Sequence, residues 1–153
     1  MSIYAERLDK FRQIMKDVGA KYLILFGPEY GRYLCGYEPI FGDFMLLADL
    51  SHFRLFLRFD WDIPRVPDWI DRADILASYD FSTDLVPFLA GQHSIAVAGG
   101  ERMPHRLYRA IEMCGDICPI DSQAMSLRLI KDAEEISAIR QAVAITEEAL
   151  EAT

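Results

Sequence analysis

What this chain lacks narrows its function before what it contains does. No run of Lys or Arg occurs, and the formal net charge is −8. Nucleic acid and anionic membrane surfaces both require positive charge to displace counterions, so neither is expected as a partner. No apolar stretch approaches the roughly 18 residues of a membrane span, and Glu6 and Arg7 fall where a signal peptide needs an apolar core. A cytoplasmic protein is expected. Only three cysteines occur, Cys35, Cys114 and Cys118, an odd number that makes a disulfide framework unexpected. The spacing of Cys114 and Cys118 invites a metal, but the three histidines, His52, His93 and His105, are scattered singly and no second ligand pair exists.

Catalytic signatures are missing as well. There is no Gly-x-Ser-x-Gly elbow, no His-Glu-x-x-His and no phosphate-binding glycine loop ending in Lys-Ser or Lys-Thr. Gly99-Gly100-Glu101 lacks the third glycine of a dinucleotide fingerprint, and Glu101 would repel phosphate, so it reads as a tight turn. Asp60-Trp61-Asp62 places two carboxylates around an aromatic ring, a pattern able to attract a cation. Arg58 and Arg65 compete for the same carboxylates, and a solvated, ion-paired loop is the simpler expectation.

What remains is ample apolar material, 52% of 153 residues, enough for one domain with a real core. Leu8, Phe11, Met15 and Val18 form one stripe of an amphipathic helix over Ile3–Val18, which Gly19 should end. Tyr22–Phe26 is apolar throughout and predicts a strand buried on both faces. A short helical or irregular stretch, Arg32–Tyr37, leads into a loop at Pro39–Gly42 that carries Ile40 and Phe41. Phe44–Ala48 and Phe53–Arg58 predict a hairpin. Residues 60–74 read as a surface excursion. Alternation then sets in: a strand over Ala73–Tyr79, a helix over Phe81–Leu89 capped by Asp80 or Ser82, a strand over Ser94–Ala98, a helix over Pro104–Met113, a short strand over Ile117–Ile120 and a further turn capped by Asp121-Ser122. This order predicts a three-layer α/β domain with a mixed sheet flanked by helices.

The last segment is the most informative. Asp132 is placed to cap a helix with Glu135 reaching back, and Ile136, Ile139, Val143, Thr146 and Leu150 then share one face. Neither Gly, Asn nor Pro closes that pattern before Thr153. The chain is therefore expected to be cut from something longer.

Three stretches resemble one known family. The opening helix with Arg7, Leu8 and Phe11, then Gly19 and the Tyr22–Phe26 strand, is similar to its start. Tyr33-Leu34-Cys35-Gly36-Tyr37 resembles its Tyr-Leu-Thr-Gly-Phe segment, with Cys35 in place of Thr. Leu127-Arg128-Leu129-Ile130-Lys131-Asp132, continuing with Glu134-Glu135-Ile136 and Ile139-Arg140, resembles the joint to its second domain. The family is the creatinase/prolidase N-terminal domain, found upstream of the pita-bread catalytic domain in Xaa-Pro aminopeptidases, prolidases, creatinases and related C–N hydrolases. The resemblance implies a creatinase N-terminal-domain-like fold over residues 1–130 and a junction helix, 131–153, leading to an absent catalytic domain. It also implies a non-catalytic role: dimerisation, and covering of the partner subunit's active site. No catalytic or metal-binding residue and no cofactor is implied in this chain, divalent metal ions belonging to the catalytic domain of metal-dependent members. Implied partners are that catalytic domain and a second copy of the chain. Phe41 stands where creatinase-like members place an aromatic that touches the neighbouring subunit's substrate; packing on its own domain is the competing reading. A self-standing α/β ligand-binding or interaction module, and more remotely a small independent enzyme, are the alternatives.

Overall fold

A computed structural model of the chain describes residues 3–89, 91 and 93–152. The central element is β1 (Tyr22–Phe26), whose five residues are all buried, as its unbroken apolar run predicts. It pairs antiparallel with β2 (Phe44–Ala48), with Ile24 opposite Leu47, and parallel with β5 (Ile95–Ala98), with Ile24 opposite Val97. β2 continues into β3 (Phe53–Leu57) through a hairpin, and β4 (Ile75–Ala77) adds parallel to β3. β6 (Ile117–Pro119) adds parallel to β5, giving a mixed sheet in the order β4-β3-β2-β1-β5-β6.

Side chains alternate across a strand, so this sheet presents two apolar faces, and both are covered. On one face Tyr22, Ile24, Phe26, Met45, Leu47 and Phe56 pack with Phe81, Leu85, Leu107 and Ile111. The last four come from the 3₁₀-extended α3 region (α3 is Phe81–Asp84) and from α4 (His105–Cys114). The alternate residues Leu23, Leu25, Phe44, Leu46, Leu55 and Leu57 are also buried, on the side of α1 (Ile3–Asp17) and α2 (Pro28–Cys35). There Phe11 meets Tyr30 and Tyr33 edge-on at 6.0 and 6.3 Å. The three-layer arrangement with a mixed sheet is the one expected.

Boundaries differ where local chemistry intervenes. Of the helical or irregular stretch expected over Arg32–Tyr37, the helical form is found, but it starts earlier and spans Pro28–Cys35, with Pro28 at its first turn. The strand expected over Ala73–Tyr79 is confined to Ile75–Ala77. Asp71 accepts a hydrogen bond from the Ala73 N–H and winds residues 72–74 into a 3₁₀ turn instead. The helix expected over Phe81–Leu89 stops at Asp84 and resumes as a 3₁₀ turn, Val86–Phe88. Pro87 offers no N–H and cannot continue an α-helix. Asp80 rather than Ser82 is the cap, accepting from the Ser82 N–H, and the Ser82 and Thr83 hydroxyls hold its carboxyl below the ordinary range.

The chain divides into two compact units, residues 1–121 and 122–153. The second contains most of α5 (Asp121–Leu129) and all of α6 (Ala133–Glu151). The joint between these helices is a double cap. Lys131 Nζ donates to the carbonyls of Arg128 and Leu129 at the end of α5. Asp132 accepts from the Glu135 N–H at 2.9 Å while Glu135 accepts from the Asp132 N–H at 3.1 Å, the expected capping box. None of the residues of α6 is buried.

Gly99 joins β5 to the next turn at φ +83°, and a Cβ there would collide with the Phe26 carbonyl of the neighbouring strand. At Gly100 an added Cβ would meet only ordinary contacts, the nearest being the Tyr108 ring at 3.6 Å. Gly99→Ala should therefore lose roughly 1–3 kcal/mol from backbone conformation alone, with the collision adding to it. Gly100→Ala should stay within about 1 kcal/mol, as read by urea denaturation of both variants.

Candidate functional site

Phe41 lies at the tip of the loop between α2 and β2, and it is exposed: 68% for Phe41 and 62% for its neighbour Ile40. Two large apolar side chains held in solvent contrast with the loop's ends, which are fixed. At the near end Tyr37 is buried and its N–H donates to the Gly31 carbonyl. At the far end Gly42 has φ +91° and lies so close to the segment leaving β3 that an added Cβ would fall 2.6 Å from Arg58 Cβ. Arg58 then ties three segments together. Its Nη2 donates to Asp43 Oδ2 at 2.7 Å, its Nη1 donates to the Tyr79 carbonyl, and its guanidinium lies 5.2 Å from the centre of the Phe81 ring. The tip is thus presented by a braced loop.

A second aromatic group adjoins that brace. Phe59 stacks on Trp61 at 4.3 Å with the rings 17° apart, and Tyr79 meets Phe59 edge-on at 6.0 Å. Trp61 and Tyr79 remain exposed. Sequence reasoning singled out Trp61 only for its flanking carboxylates and missed Tyr79. Tyr79 comes from beyond β4, and only the parallel pairing of β3 with β4 brings it here.

The Asp60–Asp62 pair corrects an expectation. These residues begin a 3₁₀ turn, Asp60–Arg65, which turns the two side chains apart: Asp60 is exposed and Asp62 is completely buried. The pair neither converges on a cation nor forms a fully solvated loop. Asp62 Oδ1 accepts from Arg65 Nη1 at 3.3 Å, and its carboxylate faces the Tyr37 hydroxyl. Asp62 Oδ2 and Tyr37 Oη do not complete a well-formed hydrogen bond. Burial, and then the neighbouring carboxylate, push the Tyr37 phenol well above its ordinary range. The cluster anchors the start of the Phe41 loop from below.

Among the described residues no cluster of three or more His, Cys, Asp or Glu side chains is arranged to hold a metal ion. Cys114 and Cys118 are free thiols, as is Cys35, whose burial pushes its pKa to about 12. His105 is an exposed residue at the start of α4. The Gly99 N–H, the donor that an anion would need, is held by Asp121 Oδ1 at 2.7 Å. Among the described residues no helix is long and apolar enough to cross a membrane. What the loop exposes is apolar surface, that of Ile40 and Phe41.

A family model described as the creatinase/prolidase N-terminal domain matches residues 7–130. The chain belongs to this family. Solved structures share the fold of the creatinase/prolidase N-terminal domain at low identity. An Xaa-Pro dipeptidase from Bacillus anthracis matches 97% of this chain with a TM-score of 0.77 and 14% identity, over 42% of its own length. A prolidase from Thermococcus sibiricus matches 98% with a TM-score of 0.75 and 16% identity, over 43% of its length. The creatinase/prolidase N-terminal domain of an X-Pro dipeptidase from Streptococcus pyogenes matches 79% of the chain and 98% of its own length, with a TM-score of 0.64 and 14% identity. The chain therefore spans well under half the length of the longer prolidases. No curated protein matches it.

Because Phe41 projects into solvent, Phe41→Ala should change unfolding free energy by no more than about 0.5 kcal/mol. Arg58→Ala should instead raise amide exchange across residues 39–43 while β2 stays protected, as read by hydrogen exchange. The Cys35 thiol should react with a thiol reagent only after denaturation.

Proposed function

We propose that this chain is the non-catalytic accessory domain of a pita-bread hydrolase, an Xaa-Pro aminopeptidase or creatinase-like C–N hydrolase. It acts in a homodimer, each copy covering the active site of its partner subunit, with Phe41 reaching the substrate held there. The observation that carries this reading is the braced loop that keeps Ile40 and Phe41 exposed. An apolar tip on a fixed loop costs hydration unless another surface receives it, and fixing the loop beforehand lowers the entropy lost on docking.

The second unit supports the same reading. Along α6, Ile136, Ile139, Val143 and Leu150 repeat at helical spacing and are 40–72% exposed. Such a row suits a helix that packs against the catalytic domain of its own chain. Any divalent metal would be held by that domain. Three unpaired thiols fit a reducing, cytoplasmic setting.

In the full-length parent, Phe41→Ala should lower the specificity constant by about ten-fold, the scale of truncating one aromatic anchor at an interface. Metal content should not change. An unaltered specificity constant would refute the role of Phe41, and a full-length parent that is monomeric at working concentration would refute the covering role.

A further inference from the structure

At the opposite end of β2 from Phe41, the sheet face that carries Tyr22 and Leu47 is not fully covered. A cleft of about 260 Å³ opens there, bounded by Tyr22, Leu47, Arg54 and Phe88, with Asp49 and His52 at its hairpin rim. Arg54 is opposite Leu47 in the β2–β3 register, so it belongs to the apolar face and yet carries a charge. It is half-buried. Eight other arginines each lie within 4 Å of a carboxylate. Arg54 has neither a carboxylate nor a hydrogen-bond acceptor in reach among the described residues, although the chain has 24 acidic residues against 16 basic ones. Its guanidinium lies 4.7 Å from the centre of the Phe88 ring, and that ring is held edge-on by Phe56 at 5.9 Å. Stacking on an aromatic face orients the guanidinium but leaves its N–H donors unused.

The surroundings decide which ligand fits. Tyr22, Leu47 and Phe88 offer apolar walls, and Lys21, whose ammonium lies 5.2 Å from the centre of the Tyr22 ring, adds positive potential beside it. Asp49 opposes this. Its Oδ1 accepts the N–H groups of Ser51 and His52, each at 2.7 Å, and the Ser51 hydroxyl at 3.0 Å, so the hairpin turn holds it ionised at the rim. One unpaired guanidinium within the cleft and one fixed carboxylate at its rim suit a monoanion better than a phosphate dianion. A carboxylate can take two parallel N–H bonds from Arg, and a ring attached to it can cover the apolar walls.

We propose that the cleft of Tyr22, Leu47, Arg54 and Phe88 binds a small aromatic carboxylate, its carboxylate on Arg54 and its ring against Phe88 and Tyr22. The site is independent of the Phe41 loop, so its failure would leave the proposed function standing, and the reverse.

Titration of the 153-residue chain with phenylacetate, monitored through amide chemical shifts, tests it. Saturable shifts confined to β3, the 86–89 turn and the start of β1 are expected by about 10 mM ligand, the range of one ion-paired ring. Phenylacetamide, which keeps the ring and loses the charge, should bind at least about ten-fold more weakly, and inorganic phosphate should produce no saturable shift at these residues. Arg54→Met, which preserves the aliphatic stem over Phe88, should also weaken phenylacetate by about ten-fold, and Arg54→Lys by less. No saturation, equal binding of phenylacetamide, or undiminished binding to Arg54→Met would overturn the proposal. Should Arg54→Met fail to fold, the comparison of the two phenyl ligands on the unaltered chain still decides.

Discussion

The constraint on which the rest depends is the burial of β1 on both faces. A strand with no polar side to turn to water must be sandwiched, which forces helices onto both sides of the sheet. Its neighbours are fixed by the same need: β2 and β5 flank it in opposite senses, and their own apolar residues extend both cores. The same strand constrains the turn at the end of β5. The Phe26 carbonyl leaves room only for glycine at position 99, so that turn is set by the strand beside it.

From this sheet the loop with Phe41 acquires its character. It leaves α2 and enters β2 within a few residues, so both ends are tied to rigid elements while the tip has nothing of its own to pack on. The ties are polar and come from far along the chain. Arg58 reaches Asp43 and the Tyr79 carbonyl, and Asp62 lies beneath Tyr37. A buried carboxylate with one oxygen incompletely satisfied is a poor source of stability, and its place beside a loop that must hold a shape suggests that geometry is what it provides. The two candidate recognition sites then sit at opposite ends of β2, one apolar and braced, the other a cleft with an unpaired charge.

Most of the fold was legible because its signals are local. A five-residue apolar run makes β1; Asp132 and Glu135, three residues apart, make a capping box; Gly19 ends an amphipathic stripe. The misplaced element boundaries also have local causes. Pro87 breaks a helix whose periodicity continues through it, and the Asp71 side chain competes successfully for the Ala73 N–H that a strand would have used. The site was less legible. The loop with Phe41 was placed by its sequence neighbours, but Asp62 looked like one of several surface acids because nothing in an i,i+2 pattern reveals that one of two carboxylates is turned inward. Tyr79 and Arg54 gave no signal at all, since a lone tyrosine or arginine in a strand region is ordinary.

The sequence by itself determined the layers, the family and the absence of a recognisable catalytic motif, because periodicity, caps and motif residues act over a few positions. Only the tertiary structure decided which charges are buried, which are paired and which aromatic rings meet, because those depend on segments brought together across the sheet. Arg54 and Arg58 show this most directly. Four residues apart on the same hairpin arm, one is tied to three segments and the other to a single ring, and the difference lies wholly in what the neighbouring strands and turns place opposite them.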